Sequence, residues 1–534
     1  MLKLHALVPA PFHWTGPAKA ARSSAAAAYH AMQTLQGQLA NVLRFSSSGR
    51  QYDFDAGIFR AGRRKMTTAI KFGTSGWRAI VADDFTLANI RLAVAGVAAY
   101  VKTQPAPHRV LVGRDPRFLG ESFVAEAARV LAAAGITPIV ITEAAPTPAI
   151  AFAVMTMKTS GAINFTASHN PPEYNGIKFS THDGAPALPE VTKQIEAAIS
   201  ALQASGAVVP LAPVPEGGFE IADVKPAFLA RLAELVDLKA IAASGIKVVY
   251  DAFWGAGRGY SSDILRNAGV PCETVHDIRD VLFGGHAPEP DDHLLGDCKA
   301  KMKEIGAQIG IATDGDADRF GIVDEDGTFI QPNYIIALLF DYLVETRGWK
   351  NGVAKSVAST NLINALADFH KVQLYETPVG FKYIGELIIG DKIAIGGEES
   401  AGLTIRGHVP EKDGVLAGLL VAEMVARRGK SLGAQLKELF AKVGSFYPVR
   451  DNFHLTPEVK AAFTEKLKID PTDMGGLKVA QVVRTDGLKL ILADGSWVCY
   501  RLSGTEPVVR AYTEARSEES MEALKAAARQ FVLT

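Results

Sequence analysis

From about Met66 onward the chain keeps repeating one pattern: a short apolar run, a turn, then a stretch of helical periodicity. Ile90, Val94, Val97 and Val101 fall on one helical face. "RVLVG" at 109–113 ends in the turn "RDPR", residues 121–134 read as a helix closed by Gly135, and "TPIVIT" follows at 137–142. The alternation recurs from "IKVVYD" (246–251) through a Gly-rich turn and a helix to about Gly269, then "QIGIAT" (308–313). It recurs again from 352–359, through a helix near 361–370 and "VQLYET" (372–377), to "KIAIGG" (392–397). Such alternation predicts α/β layers with largely parallel sheets. The last part differs: "LKVAQVV", "GLKLILA", "SWVCYRLS" and "VVRAYTEA" are closely spaced strands followed by a helix near 518–531. That predicts an antiparallel α+β unit. The Ala/Pro/Gly stretch 204–218 and the regions near 328–331 and 444–449 read as junctions. The expected units are therefore 66–205, 206–328, 329–445 and 446–534.

Residues 1–65 stand apart, with nine basic residues against two aspartates and Ala/Ser runs such as "SSAAAA". They read as a disordered extension or as a start placed upstream of Met66, with an organelle transit peptide as the alternative. The whole chain carries a net charge of −1, so no nucleic-acid or membrane field is expected. Cys272, Cys298 and Cys499 form neither a disulfide framework nor a zinc spacing, which suits a reducing, cytoplasmic setting. No apolar run reaches the ~18 residues of a membrane helix.

Five polar stretches carry the chemistry. In "TASHNPPEYNGIKF" (166–179), Ser168, His169 and Asn170 precede two prolines, which push the chain out of helical geometry and hold the polar groups in an ordered loop. The alternatives are a rigid turn or a serine held out to react. In "ATDGDADRFG" (312–321), Asp314, Asp316 and Asp318 recur every second residue, which in an extended segment puts three carboxylates on one side. A divalent cation relieves their repulsion, and hard oxygen ligands suit magnesium or calcium. An EF-hand is disfavoured because Arg319 stands where its loop needs glycine and a strand-like run precedes. "GGEESAG" (396–402) offers carboxylates and a hydroxyl to a polyol, or a helix cap. "RLSGTEPVVR" (501–510) sets Arg501 and Arg510 about Ser503, Gly504 and Thr505, a turn suited to phosphate. Arg78, in "GTSGWR", and Lys178 supply positive charge for a transferring phosphoryl group.

Taken in order, these stretches resemble the α-D-phosphohexomutase superfamily, over the chain from about Met66 to the C-terminus. "TASHNPPEYNGIKF" is similar to its phosphoserine loop, "DGDADR" to its metal loop, "GGEESAG" to its sugar loop and "RLSGTEPVVR" to its phosphate loop. The resemblance implies three α/β domains around a central cleft and a mobile α+β cap. It implies a phosphoryl group on Ser168 and one Mg²⁺ held by Asp314, Asp316, Asp318 and a phosphate oxygen of that serine, with Arg319 supporting the loop. Lys382, in "TPVGFKYIG", resembles the lysine of a "GWK" or "GFK" segment and is the implied acid/base, its pKa lowered by a nearby cation. His169 is implied to orient or exchange protons. Glu398 and Ser400 are implied sugar contacts, and His408 and Lys412 sugar or phosphate contacts.

The implied activity is intramolecular transfer between hexose 1-phosphate and hexose 6-phosphate, with glucose 1,6-bisphosphate as intermediate and activator. Glu-Glu-Ser in the sugar loop resembles glucose-preferring enzymes; mannose, both sugars, or glucosamine are the alternatives. Small sugar phosphates are the expected partners of a monomer or weak dimer. The readings from other classes are a magnesium-dependent phosphatase using Asp314, a calcium-binding module, and a serine hydrolase, which lacks a G-x-S-x-G elbow.

Overall fold

The computed structural model describes residues 70–73, 76–502 and 508–533, all within the unit Thr67–Thr534. The expected extension 1–65 and the residues Ser503, Gly504 and Thr505 lie outside them. Among the described residues no helix is long and apolar enough to cross a membrane.

Four sheets follow one another. In the first, Trp77–Ile80, Tyr174–Thr181, Gly161–Phe165, Arg109–Arg114, Thr137–Val140 and Glu220–Ile221 lie side by side in that order. The second runs Phe320–Asp324, Ile309–Thr313, Val248–Asp251, Cys272–Val275, and the third Leu374–Thr377, Gly352–Ser356, Ile393–Glu398, Gly402–Ile405. The fourth runs Tyr447–His454, Val508–Ala515, Trp497–Leu502, Leu488–Leu492, Leu477–Val483, Asp473–Met474, and its pairs are antiparallel throughout. The architecture is thus three α/β units and a C-terminal α+β unit, as read from the strand and helix pattern.

The three α/β sheets are mixed rather than wholly parallel. Each has a parallel centre and an antiparallel hairpin: Gly161–Phe165 with Tyr174–Thr181, Ile309–Thr313 with Phe320–Asp324, and Ile393–Glu398 with Gly402–Ile405. The reason is connection length, since a parallel return needs a crossover of about a dozen residues or more. The segments 166–173, 314–319 and 399–401 are too short for one.

One apolar core runs through the first three units. Leu111 and Ile139 of the first sheet, Tyr250 and Ile311 of the second, and Ile336, Val353 and Leu420 of the third unit belong to it. The helix Gly414–Arg428 lies against Ile309–Thr313 and Phe320–Asp324, so an element late in the chain covers the second sheet. Its first residue is glycine for a steric reason: a Cβ on Gly414 would lie 2.2 Å from the carbonyl oxygen of Arg319. The fourth unit has its own core, built on Leu488, Leu490, Val498 and Tyr500.

Candidate active site

The three hairpin connections just described are the three polar loops of the α/β units, so each loop is anchored at both ends by paired strands. Ser168 sits in the first with φ +51°, a left-handed conformation that a serine adopts at a cost. Its hydroxyl is buried and donates to Asp314 Oδ2 at 2.6 Å. His169 Nδ1 is farther from the hydroxyl, at 3.4 Å. The loops meet closely: a Cβ on Gly315 would stand 2.6 Å from the Ser168 carbonyl oxygen.

Asp314, Asp316 and Asp318 converge, each offering one oxygen within 4.8 Å of the others, and all three are buried. They do so on a turn containing Ala317 at φ +55°, not on the extended segment expected from their spacing. Oδ1 of Asp316 and Oδ1 of Asp318 are buried without a hydrogen-bond partner. Buried lone pairs left open in an all-oxygen set fit a hard divalent cation such as Mg²⁺. Strands flank the turn on both sides, so the helix–loop–helix of an EF-hand is absent here.

Cations balance the acids. Lys178 Nζ donates to Asp316 and Asp318, 2.6 Å from each, and Lys412 Nζ lies 2.8 Å from Asp318. Arg78 Nη1 donates to Asn170 Oδ1 at 2.6 Å, and the Arg319 backbone N–H donates to Asp314 Oδ1 at 3.0 Å. Burial, with Asp316 and Asp318 beside it, pushes the Asp314 carboxyl well above its usual range. Burial near Arg319 and Arg78 holds the His169 imidazole well below its own, so the ring is neutral.

In the loop 396–402, Glu398 ends its strand, is buried, and accepts the Gly380 N–H at 2.7 Å. Burial and then the charge of Glu399 push its carboxyl up to about 7. Glu399 accepts the Ser356 hydroxyl at 2.8 Å. Ser400 borders a cavity of about 250 Å³ that also touches Arg319, Arg450 and Tyr512, a space shared by the second, third and fourth units. In the fourth sheet Arg501 and Arg510 are directly opposed across two strands, with Asp486 2.7 Å from Arg501. Facing like charges are unfavourable alone and favourable around an anion.

The His408 side chain is buried; its Nε2 lies 2.7 Å from Asp413 Oδ2, its Nδ1 is buried without a hydrogen-bond partner, and its ring lies beside Phe228 near the start of the helix Gly414–Arg428. One expectation needs correction. The Lys382 pKa is lowered, but burial is the cause; the nearby charge is Glu190, which opposes the shift. Lys382 is brought beside Lys178, Phe381, Glu411 and Lys412 on the wall of a small cavity between the first and third units.

Other residues escaped the sequence reading. Thr147 donates its hydroxyl to Asp316 Oδ2 at 2.6 Å and its backbone N–H to the Asp316 carbonyl, while Asn164 steadies that hydroxyl at 2.9 Å. Asp115 and Arg117 lie beneath the serine loop. The available signal was "RDPR" at the end of an apolar strand, a place where α/β folds put functional groups.

Comparison with known proteins gives the class first. Four sequence families match in order: phosphoglucomutase/phosphomannomutase alpha/beta/alpha domain I over residues 69–205, domain II over 226–327, domain III over 331–443, and the C-terminal domain over 458–530. This makes the chain an enzyme, an isomerase, of the α-D-phosphohexomutase superfamily. It is 31% identical over 450 residues to a phosphoglucomutase/phosphomannomutase of Thermococcus kodakarensis, covering 84% of this chain and 95% of that one. It is 32% identical to a phosphoglucosamine mutase of Thermobifida fusca, covering 85% and 96%. A crystal structure from Thermus thermophilus, assigned as a phosphomannomutase, superposes with a TM-score of 0.75 at 33% identity, covering 88% and 100%. The chain belongs to the phosphoglucomutase/phosphomannomutase family.

Proposed function

We propose that this chain interconverts α-D-glucose 1-phosphate and glucose 6-phosphate, with Ser168 as the phosphoryl carrier. The observation that carries this reading is the buried Ser168 hydroxyl 2.6 Å from Asp314, within a cluster of three carboxylates and flanking cations. Asp314, Asp316 and Asp318 would hold Mg²⁺, which when bound neutralises charge on the transferring group.

A free sugar hydroxyl attacks the phosphorus of phosphorylated Ser168. Its oxygen–phosphorus bond forms as the bond to Ser168 Oγ breaks, its proton passes to a base, and Ser168 Oγ takes up a proton as it leaves. Lys382 is the base in this reading, because burial lowers its pKa toward the range a base requires. Lys178 and Arg78 face the charge that spreads over the phosphoryl oxygens. The sugar then carries phosphate at both ends and turns over within the cleft. Ser168 takes back the phosphoryl group from the other end, and a hexose monophosphate leaves. Arg501 and Arg510, with Ser503, Gly504 and Thr505, grip the phosphate that is not reacting. Glu398 and Ser400 receive sugar hydroxyls and Lys412 assists beside them. Glucose 1,6-bisphosphate primes an unphosphorylated serine.

Glu398-Glu399-Ser400 supports glucose as the preferred hexose. Relatives named for phosphomannomutase and phosphoglucosamine mutase lie at similar identity, so the test compares sugars directly. Turnover of glucose 1-phosphate, mannose 1-phosphate and glucosamine 1-phosphate is measured with Mg²⁺ and a trace of the matching bisphosphate. The highest kcat/KM is expected for glucose 1-phosphate; a higher value for either other sugar reassigns the substrate.

A further inference from the structure

Beneath the serine loop a single guanidinium uses every donor it has. Arg117 is fully buried. Its Nε donates to Asp115 Oδ2 at 3.0 Å. Nη1 donates to the carbonyl oxygens of Pro171 and Tyr174 at 2.7 and 2.9 Å, and Nη2 to those of Ser168 and Asn170 at 2.7 and 2.6 Å. An arginine has five N–H donors in a fixed plane, and all five are engaged here, four of them by backbone carbonyls of one loop. The flat face of the group stacks over the ring of Phe283, 4.9 Å from its centroid, which ties the same side chain to the second unit.

The other side of Ser168 is held by the same assembly. Asp115 Oδ2 also accepts the Thr166 hydroxyl at 2.6 Å, and that hydroxyl oxygen accepts the Ser168 N–H at 2.8 Å. Asp115 Oδ1 accepts the Arg117 N–H at 3.0 Å. Both peptide groups of Ser168 are therefore fixed, the N–H through Thr166 and the C=O through Arg117. The residue is held at φ +51°, where serine is disfavoured and from which its hydroxyl meets Asp314. The four carbonyls converge on one buried point and need a donor each. Lysine keeps the charge but presents three donors on a flexible stem, which cannot reproduce the planar fork.

We propose that Arg117 is a positioning residue for phosphoryl transfer at Ser168. It touches neither substrate nor the reacting atoms; it sets the angle at which the hydroxyl faces the acidic turn, with Asp115 and Thr166 completing the clamp. This rests on the reading of Ser168 as phosphoryl carrier.

The test compares Arg117→Lys and Thr166→Val with the native protein and with Ser168→Ala. For each variant that keeps the native circular dichroism spectrum, kcat, KM and the single-turnover rate of Ser168 phosphorylation by glucose 1,6-bisphosphate are measured. Misplacing a reacting group by about 1 Å costs about 100-fold in rate, so Arg117→Lys is expected to lower kcat and phosphorylation by about that factor. KM should stay within about threefold, because ground-state contacts are untouched. Thr166→Val keeps the side-chain shape and removes both hydrogen bonds of the hydroxyl, the one to Asp115 and the one from the Ser168 N–H, while leaving the Arg117 fork in place, for an expected loss of about tenfold in kcat. It remains informative if Arg117→Lys does not fold. A native kcat in either folded variant, or a loss confined to KM, overturns the positioning role. Full turnover by Ser168→Ala would instead overturn the carrier assignment.

Discussion

At the scale of single residues, charge and burial set what the site can do. Glu398 binds its proton more tightly folded than unfolded, its carboxyl being pushed up to about 7 from 4.5. The folded state therefore loses stability as pH rises from about 4.5 through 7, and bears the full cost above 7. Glu398→Gln keeps the oxygen that accepts the Gly380 N–H and removes the charge. It is expected to be more stable than the native protein at pH 8, by on the order of 1–3 kcal/mol, with the gap closing near pH 4.5 in urea titrations. Asp316→Asn leaves one fewer carboxylate at the turn and should weaken Mg²⁺ binding at least about tenfold by calorimetry. These acids and Ser168 were legible in the sequence because polar groups directly after apolar runs have few structural reasons to be there. The partner of His408, Asp413, lies in the same polar segment, but the packing of its ring beside Phe228 joins residues far apart in the chain and was not legible. Arg117 was hidden for a related reason: four of its five donors go to backbone carbonyls, which leave no trace in side-chain spacing.

Among the elements, the hairpins decide the outcome. Strand positions were readable as apolar runs between turn residues, but the direction of each partner follows from connection length, and the result is three parallel-centred sheets each containing an antiparallel hairpin. The helix Gly414–Arg428 was not legible. Covered on all sides, "VLAGLLVAEMVA" has no polar face and so no 3.6-residue period to detect. Hairpin loops brought this close leave no room for side chains at their crossing. Gly315→Ala puts a Cβ 2.6 Å from the Ser168 carbonyl oxygen, a backbone atom clamped by Arg117. The expected cost is about 1–3 kcal/mol of stability by urea denaturation, together with a lower kcat.

For the whole molecule, the fourth unit joins the rest through a seam in which Ala358 and Val379 pack with Trp497, Cys499 and Tyr512 beside a set of buried polar groups. Glu514 is buried there and accepts the Thr360 hydroxyl, the Asn361 N–H at 2.9 Å and the Trp497 Nε1–H at 2.7 Å. Lys355 and Lys489 share Glu376 alongside, at 3.3 and 3.0 Å. The fourth unit thus has its own core and meets the third through several hydrogen bonds and a small apolar cluster. Glu514→Ala strands three donors, each worth about 1–3 kcal/mol when buried unpaired. Its urea unfolding, followed by the fluorescence of Trp497, should then show an early transition separate from the main one. The change of strand spacing near residue 446 was enough to expect a distinct last unit; the seam that tethers it was beyond reach, because it joins residues far apart in the chain.

Storage of a phosphoryl group on Ser168 is measured most directly by intact-protein mass spectrometry with peptide mapping, before and after glucose 1,6-bisphosphate with Mg²⁺. One added phosphoryl group on Ser168, which disappears as glucose 6-phosphate is converted to the bisphosphate, is the predicted result. A protein that turns over hexose phosphate while Ser168 remains unmodified throughout would contradict it.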